Sequence, residues 1–242
     1  MKIRNERPFF SIITIVYNGV NEIQRTIDSV VNQDFLNFEF IVIDGGSNDG
    51  TQEVIEKNLD HIDFYSSKKD LGIYDAMNKG IKQVKGKWVN FMNAGDTFFS
   101  KSVLTNVFNL IEDRKEILLY GNKYENEKKI VPSSLSSLSK GIIMGNHQSM
   151  FFNYEVIGDD LLYSLDYPIY GDYELVNKLY LNYGEKSFQY LDIPIANYEG
   201  GGISSKISTQ KRKDKYRVLY KYYGVIGVLR GFVFSFLYKL KK

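Results

Sequence analysis

The chain has 242 residues, 43% of them hydrophobic, so length and composition predict one domain of moderate size with a buried core, plus an appendage. It contains no cysteine, which excludes disulfides, thiolate metal sites and a cysteine nucleophile. The net charge of +2 hides an asymmetry: residues 206–242 carry eleven Lys or Arg and one acid, whereas residues 1–205 carry 20 basic and 28 acidic side chains. We therefore divide the chain into a mildly acidic body, 1–205, and a basic, aromatic C-terminal tail, 206–242.

The first 110 residues alternate between strand and helix patterns. The apolar, β-branched run 9–16 predicts a strand buried on both faces, and residues 38–44 predict a second. Asn21 and Gln24 have the spacing of a helix capping box. Further strands are expected at 62–67 and 87–93, and helices at 23–31, 51–57 and 73–84. This alternation predicts an α/β fold with a mostly parallel central sheet.

The pattern loosens after residue 115. Residues 117–132 predict a hairpin, and the Ser-rich segment 133–139 a mobile loop. A strand is expected near 146–152 and a helix over 172–181, followed by strand, turn and strand within 187–199.

Polar residues follow three of the predicted strands where each one ends. The first strand leads into Val16, Tyr17 and Asn18, and the second ends at Asp44; the fourth leads into Asn93, Ala94, Gly95 and Asp96. The carboxyl ends of parallel strands meet at one edge of a sheet, where ligands bind in open α/β folds. We therefore expect these residues to form one site.

The residue types at this edge suit a nucleotide diphosphate. Asp44 can accept a uracil imide N–H or a ribose hydroxyl, and Tyr17 offers an aromatic face to a base. Asp96 is a hard oxygen ligand for Mg²⁺ or Mn²⁺. Each aspartate alone is also a common turn former, so the prediction depends on their recurrence at successive strand ends. A dinucleotide-binding G-x-G-x-x-G and a P-loop are both absent from the sequence.

At this level of detail the chain resembles glycosyltransferase family 2 over about residues 9–205. The matching segments, in order, are FSIITIVYN, IVIDGGSNDGT, DLGIYDAMNKGI, VNFMNAGD, YGDYEL and YEGGGISS. GIYDAMNKG, NAGD and HQS together look like the bacterial subgroup that builds O-antigen, capsule or exopolysaccharide repeat units.

The resemblance implies a GT-A (Rossmann-like) nucleotide-diphospho-sugar transferase fold and an inverting enzyme. It identifies Asp44 with the uracil-reading aspartate and Asn78 with a donor-binding helix residue. It identifies Asp172 with the catalytic base and the Gly-rich loop at Gly201 and Gly202 with the diphosphate side. It also implies a UDP-sugar or other NDP-sugar donor and a divalent metal, Mg²⁺ or Mn²⁺.

Two departures from the family pattern affect the donor site. The usual DxD metal motif is reduced here to Asn93-Ala94-Gly95-Asp96, which leaves Asp96 as the one charged ligand. Met77 stands where the family often has Arg before Asn78. The missing cationic contact is either absent or supplied elsewhere, by Lys79 or by the basic stretch 211–213.

Asp172 also stands out from the residues themselves. It continues the apolar face of Leu175, Val176 and Leu179, so it is either a helix cap or an inward-facing functional carboxylate. Glu174 and Asp166 are weaker candidates for the base. His147 and Gln148 are assigned to the acceptor or diphosphate side, although a lone histidine is more often structural. His61 is expected at the surface and Trp88 in the core.

The tail predicts attachment to an anionic membrane surface. Its apolar stretch 222–238 is too short and too interrupted to span a bilayer, whereas aromatics and cations suit the interface. Packing on the body or a homodimer contact is the alternative, and no nucleic-acid module accompanies the charge. Because the first ten residues lack the apolar core of a secretory signal, we expect a cytoplasmic enzyme on the inner face of the plasma membrane.

These inferences give one leading function and two alternatives. The leading function is sugar transfer, with inversion, from an NDP-sugar to a hydroxyl of a lipid-linked saccharide. The alternatives are a non-catalytic GT-A-like scaffold in a membrane complex, which the reduced metal motif suggests, and a nucleotidyltransferase, which would share the strand-end carboxylates.

Overall fold

The computed structural model describes residues 7–111, 115–200 and 208–240, with side chains as far as residue 237. Its strands are β1 (Phe10–Val16), β2 (Phe38–Asp44), β3 (Phe64–Ser67), β4 (Trp88–Phe91), β5 (Thr97–Phe98), β6 (Leu118–Glu125), β7 (Lys128–Ile130), β8 (Met150–Asn153) and β9 (Phe188–Asn197). Its α-helices are α1 (Ile23–Val31), α2 (Thr51–Glu56), α3 (Ile73–Ile81), α4 (Val103–Ile111), α5 (Tyr154–Ile157), α6 (Gly171–Tyr183) and α7 (Thr209–Leu240).

The strands form one sheet in the order β3-β2-β1-β4-β8-β6-β9-β5, with β7 paired to β6. The first four strands are parallel, as the alternating pattern predicts. β8 runs antiparallel between β4 and β6, and β9 returns parallel to β6. The α/β fold is confirmed, with a parallel half that carries the strand-end residues and a mixed half beside it.

Helices cover both faces of the sheet. The strands β1 and β2 are buried on both sides, so their side chains alternate between two apolar clusters. One cluster packs against α1, α2 and α4, and the other against α3, α6 and α7. Trp88 is fully buried, as expected, and Met77 lies in the core of the second cluster.

Four local predictions are corrected by the structure. Helix α1 begins at Ile23 with no side-chain cap, because Gln24 bonds to Asp28 instead. The Ser-rich segment is no loose loop: Leu135–Lys140 forms a 3₁₀ helix whose Leu138 is fully buried. Residues 147–149 form a 3₁₀ turn before β8, so that strand is shorter than expected. β9 is one strand where strand–turn–strand was expected, and a shift in its pairing with β6 accommodates Pro194.

The C-terminal helix α7 reverses direction at Gly224, whose φ of 60° and ψ of −157° are not helical. Lys215 Nζ lies 3.0 Å from Ser235 Oγ, although twenty residues of continuous helix would separate them by about 30 Å. Residues 209–223 pack on the body through buried Val218 and Leu219, and residues 225–240 fold back alongside. Among the described residues, the C-terminal tail therefore contributes side chains to the core of the body.

Candidate active site

A large cleft lies where the strand order changes direction. The chain passes from β1 to β2 to β3 on one side and then returns to β4 on the other, so β1 and β4 flank a switch point. The cleft above their carboxyl ends has a volume of about 1660 Å³. Single small-molecule pockets hold roughly 300–1000 Å³, so this cleft has room for two substrates together.

Nine of the residues proposed for the site line this cleft. They are Val16, Tyr17, Asn18, Asn93, Ala94, Asp96, His147, Gln148 and Asp172. Asp44 and Asn78 do not line it, and Gly201 and Gly202 lie outside the described residues.

The loops after β1 and β2 are tied together by Asn18. This residue has a positive φ of 49°, a conformation that Asn tolerates better than most residues. Its N–H donates to Ser47 Oγ at 2.7 Å, and its side-chain oxygen accepts the N–H of Asn48 at 3.0 Å. Tyr17, beside it, has 65% of its surface exposed. The loops thus hold an aromatic face open to the cleft.

Asp44 organises the β2 turn and is closed to the cleft. It is fully buried and accepts bonds from the N–H groups of Gly46 and Ser47 and from the hydroxyls of Ser47 and Ser67. Both of its oxygens therefore accept internal hydrogen bonds in this conformation, and they hold the β2 turn. Its contact with a nucleotide stays a prediction.

Asp70 takes the position beside the aromatic ring. A Cβ added to Gly45 would contact both Asp70 Oδ2 and Tyr17 Cδ2, so the Asp70 carboxylate and the Tyr17 ring approach the same point beside Gly45. Asp70 lines the cleft and precedes α3. Sequence reasoning missed it, although it opens the quoted DLGIYDAMNKGI segment.

Asn78 is a structural link. Its amide donates to Tyr163 O at 2.9 Å and accepts Tyr163 N–H at 2.8 Å, so α3 is tied to the segment before α6. Lys79, one suggested substitute for the missing Arg, pairs with Asp75 at 3.0 Å. Of the basic stretch, Lys211 and Arg212 line the cleft.

Asp96 is held rigidly at the end of β4. It is 6% exposed and accepts the Glu199 N–H at 3.0 Å and the Gln148 amide at 2.5 Å. Burial raises its pKa above the ordinary value. Arg25 reaches the same corner, with Nη1 3.0 Å from Glu199 Oε2 and Nε buried without a hydrogen bond among the described residues.

The atoms around Asp96 are oxygens of the kind that bind a hard divalent cation. Within the described residues no group of three or more His, Cys, Asp or Glu forms a metal site. Asn93 Oδ1 and Gln148 Oε1, however, are buried oxygens that accept no hydrogen bond there. One carboxylate with neutral oxygens is the ligand type that Mg²⁺ and Mn²⁺ prefer when phosphates complete the shell.

His147 connects β4 to helix α6. Its Nε2 lies 2.8 Å from Asn93 Nδ2, and its Nδ1 lies 2.9 Å from Asp172 Oδ2. With the Asn93 amide nitrogen as the donor, a neutral His147 ring accepts at Nε2 and carries its proton on Nδ1, towards Asp172. Burial, the largest single influence, favours the neutral ring, but the combined attraction of Asp172 and Asp96 raises the pKa of His147.

Asp172 stands in the first turn of α6 at the cleft surface. Its side chain is 27% exposed as a whole, whereas its Oδ1 is buried and accepts no hydrogen bond among the described residues. The other candidates for a base are excluded by position: Glu174 is 2% exposed and bound to Lys221 and Tyr222, and Asp166 lies outside the cleft.

The sequence model of glycosyl transferase family 2 matches residues 11–164. The chain belongs to this family. A PGL/p-HBAD biosynthesis glycosyltransferase of Mycobacterium bovis (strain BCG / Pasteur 1173P2) is 28% identical over 207 residues, covering 83% of this chain and 80% of that one. The expected family is thus confirmed, and the protein is a glycosyltransferase.

Similar solved structures confirm the GT-A fold. TarS 1-349 of S. aureus, in complex with UDP, matches with a TM-score of 0.71 and 20% identity over 88% of this chain. Our chain spans 65% of that one, slightly less than two thirds. Glucosyl-3-phosphoglycerate synthase of Mycobacterium tuberculosis, in complex with Mn²⁺, UDP and its product, matches with a TM-score of 0.64 and 13% identity, over 91% of this chain and 81% of that one.

Proposed function

We propose that this family 2 glycosyltransferase moves a sugar from a UDP-sugar, or another NDP-sugar, to a hydroxyl of a lipid-linked saccharide in bacterial surface-polysaccharide synthesis. The anomeric configuration is inverted. One observation carries the proposal: Asp96 and Asp172 line the same cleft, and adjacent residues, Gln148 and His147, hold one each. A diphosphate-side carboxylate and an acceptor-side carboxylate are thereby fixed relative to each other.

The donor side suits a nucleoside diphosphate. Tyr17 offers its exposed ring to the base, and Asp70 beside it can accept a base N–H or a ribose hydroxyl. Arg25, Lys211 and Arg212 line the cleft and can face phosphate. The TarS and glucosyl-3-phosphoglycerate synthase structures, both described with UDP, support a uridine nucleotide.

Asp96 is the residue that would hold Mg²⁺ or Mn²⁺ together with the donor diphosphate. A bound divalent cation would neutralise charge on the departing nucleotide. The glucosyl-3-phosphoglycerate synthase complex, described with Mn²⁺, supports this assignment.

Asp172 acts as the general base. It accepts the proton of the acceptor hydroxyl while that oxygen attacks the anomeric carbon, and the bond from that carbon to the nucleotide oxygen breaks on the opposite face. His147, bonded to Asp172 through Nδ1, orients the carboxylate. One displacement without a covalent intermediate gives inversion.

The acceptor is proposed to enter from a membrane on the cytoplasmic side. The structure has no helix, among its described residues, that is long and apolar enough to cross a bilayer. Attachment would instead use the basic tail and the exposed apolar side chains of residues 225–237. The mycobacterial relative, described as acting in PGL/p-HBAD biosynthesis, supports a lipid-borne acceptor.

Donor screening by UDP release tests this function. We expect one UDP-sugar or a few to give UDP when a lipid-linked saccharide is added, with the product anomer inverted by NMR. A scaffold without catalytic function would bind UDP and release none in any combination. A nucleotidyltransferase would release pyrophosphate from a nucleoside triphosphate instead.

A further inference from the structure

The wall of the cleft formed by α7 contains a lysine without an anionic partner. Lys215 is partly buried, its stem packs against Gly141, and its Nζ donates to the neutral hydroxyl of Ser235 at 3.0 Å. Among the described residues no carboxylate pairs with it within 4.0 Å. Burial lowers its pKa, with no counteracting charge.

A partly buried cation without a counter-charge is costly, and an anionic ligand that paired with it would offset that cost. Lys215 lines the cleft, so such a ligand can reach it from the catalytic side. Under the proposed function the donor phosphates lie near Asp96, where Arg25 also lines the cleft. Lys215 is therefore available to a second phosphate.

The same wall continues into an exposed apolar face. Phe232 and Phe236 line the cleft and are also 62% and 57% exposed. They belong to what we call the apolar stripe, whose members recur at helical spacing on one face of residues 225–237. The stripe consists of Val225, Ile226, Leu229, Phe232, Val233, Phe236 and Leu237, each more than half exposed.

We propose that this wall is the subsite for the phosphate of a membrane-borne acceptor, with Lys215 binding the phosphate and the apolar stripe lying in the bilayer. The inference rests on the proposed function and adds the position of the lipid phosphate. Its geometric basis is that the first arm of α7 places Lys215 in the cleft, and the second arm carries the apolar stripe from the cleft wall to the exposed surface.

The basic charge of the C-terminal tail favours a lipid membrane as the surface that covers the apolar stripe. Lys213 and Arg230 are exposed on the two halves of α7, and the tail carries eleven basic residues against one acid. A second copy of the chain would bring an equally basic surface against this one, which is repulsive, whereas an anionic leaflet attracts it. A water-soluble phosphate compound would leave the stripe exposed.

Flotation of the full-length chain with three kinds of vesicle tests the subsite. The vesicles are phosphatidylcholine alone, phosphatidylcholine with a long-chain isoprenoid monophosphate, and phosphatidylcholine with phosphatidylglycerol at equal charge. Lys215→Met removes the cation and keeps the stem, and Lys213→Met is the matched control on the same helix. Binding of UDP is measured by calorimetry for each variant.

We expect wild type to prefer the isoprenoid phosphate vesicles and Lys215→Met to lose that preference by about tenfold, the effect of one charge-assisted hydrogen bond. Lys213→Met should keep the preference, and all variants should bind UDP equally. If Lys215→Met does not fold, Lys215→Gln takes its place. Its amide can still bond to Ser235, and it should lose the same preference for the isoprenoid phosphate vesicles.

Three results would overturn the subsite. They are an unchanged preference in Lys215→Met, an equal loss on both anionic vesicles, and a solution dimer that covers the stripe and abolishes flotation. Absence of UDP binding or of sugar transfer in wild type would instead count against the proposed function, since the vesicle comparison does not use the donor.

Discussion

His147 Nδ1 lies 2.9 Å from Asp172 Oδ2 and so holds the proposed base. The next residue, Gln148, donates its side-chain amide to Asp96. One short turn, His147–Ser149, therefore sets the positions of both carboxylates. A shift of this turn would change the donor side and the acceptor side together. Rigid positioning of this kind supplies much of the rate enhancement when the reacting atoms must meet in line.

Asp172→Asn should leave UDP affinity unchanged and lower turnover by roughly 10²–10⁴-fold, the usual contribution of a positioned base. The amide keeps the shape of the side chain but cannot accept the proton. Asp166→Asn, at an exposed aspartate six residues earlier, is the control and should retain activity. UDP release under saturating donor measures both, and near-normal turnover of Asp172→Asn would show that the base lies elsewhere.

His147→Gln should change the pH dependence of stability. Because the folded pKa of His147 lies above its unfolded value of 6.5, its contribution is fully present below pH 6.5 and is lost as pH rises through the folded pKa. The free energy of unfolding lost in the variant should therefore be larger at about pH 5.5 than at about pH 9. Urea unfolding in EDTA measures it, with His61→Gln as a surface control. An equal loss at both pH values would contradict the assignment.

Asp96→Asn should remove the metal dependence of UDP binding. Wild type should bind UDP more tightly with Mn²⁺ than with EDTA, and the variant should bind equally in both. Asp70→Asn is the contrasting variant, since Asp70 lies at the aromatic end of the cleft and should weaken binding in both conditions. Calorimetry measures the UDP affinity of each variant with Mn²⁺ and with EDTA. A wild-type UDP affinity that EDTA does not change would refute the metal site at Asp96.

The apolar stripe should govern attachment to vesicles. Combined replacement of Ile226, Leu229 and Val233 by Gln removes three exposed apolar side chains and should reduce flotation with anionic vesicles strongly. The control replaces Leu36, Val156 and Leu181, which are exposed on other surfaces, and should leave flotation unchanged. Raising salt should weaken the remaining attachment, because charges are screened within about 10 Å at 0.1 M. Equal flotation of the two triple variants would exclude the stripe as the contact.

Gly224→Ala should cost about 1–3 kcal/mol of unfolding free energy, because its φ and ψ lie in a region that only glycine adopts readily. A Cβ there meets no atom within 4 Å, so the cost is one of backbone conformation. Gly184→Ala is a matched control, since Gly184 has a φ of 80° and a ψ of 163° and the same open space. Both should lower the melting temperature, but Gly224→Ala alone should alter vesicle flotation. Loss of flotation in both variants would point to general destabilisation.

The parallel half of the sheet could be predicted from the sequence because its signal is local. β1 and β2 are continuous apolar runs that end in polar residues, and the order of the chain brings Asn18 and Asp96 to one edge. β9 was predicted less well. Its Pro194 indicates a turn locally, and only the pairing with β6 keeps the strand continuous.

The side-chain partners in the site could not be predicted in the same way. Asp44 looks like a ligand-binding carboxylate in sequence, yet in the structure it accepts hydrogen bonds from Ser47 and Ser67. These two serines come from different segments of the chain. Asp70 stands in the polar segment Lys68-Lys69-Asp70-Leu71-Gly72, where an aspartate indicates an ordinary turn. The proposed role of Lys215 depends on the reversal of the chain at Gly224. In the sequence, Gly224 is only a glycine within an apolar stretch.

The reversal in α7 also has a consequence for the order in which the molecule is made. The sheet is complete at Asn197, whereas one wall of the cleft comes from residues 211–236, which leave the ribosome later. Because domains fold as they are synthesised, the apolar segment 225–237 emerges beside a body that already has its strands paired. We therefore expect those side chains to meet a folded surface instead of the unpaired strands of a nascent sheet, an order that disfavours aggregation during translation.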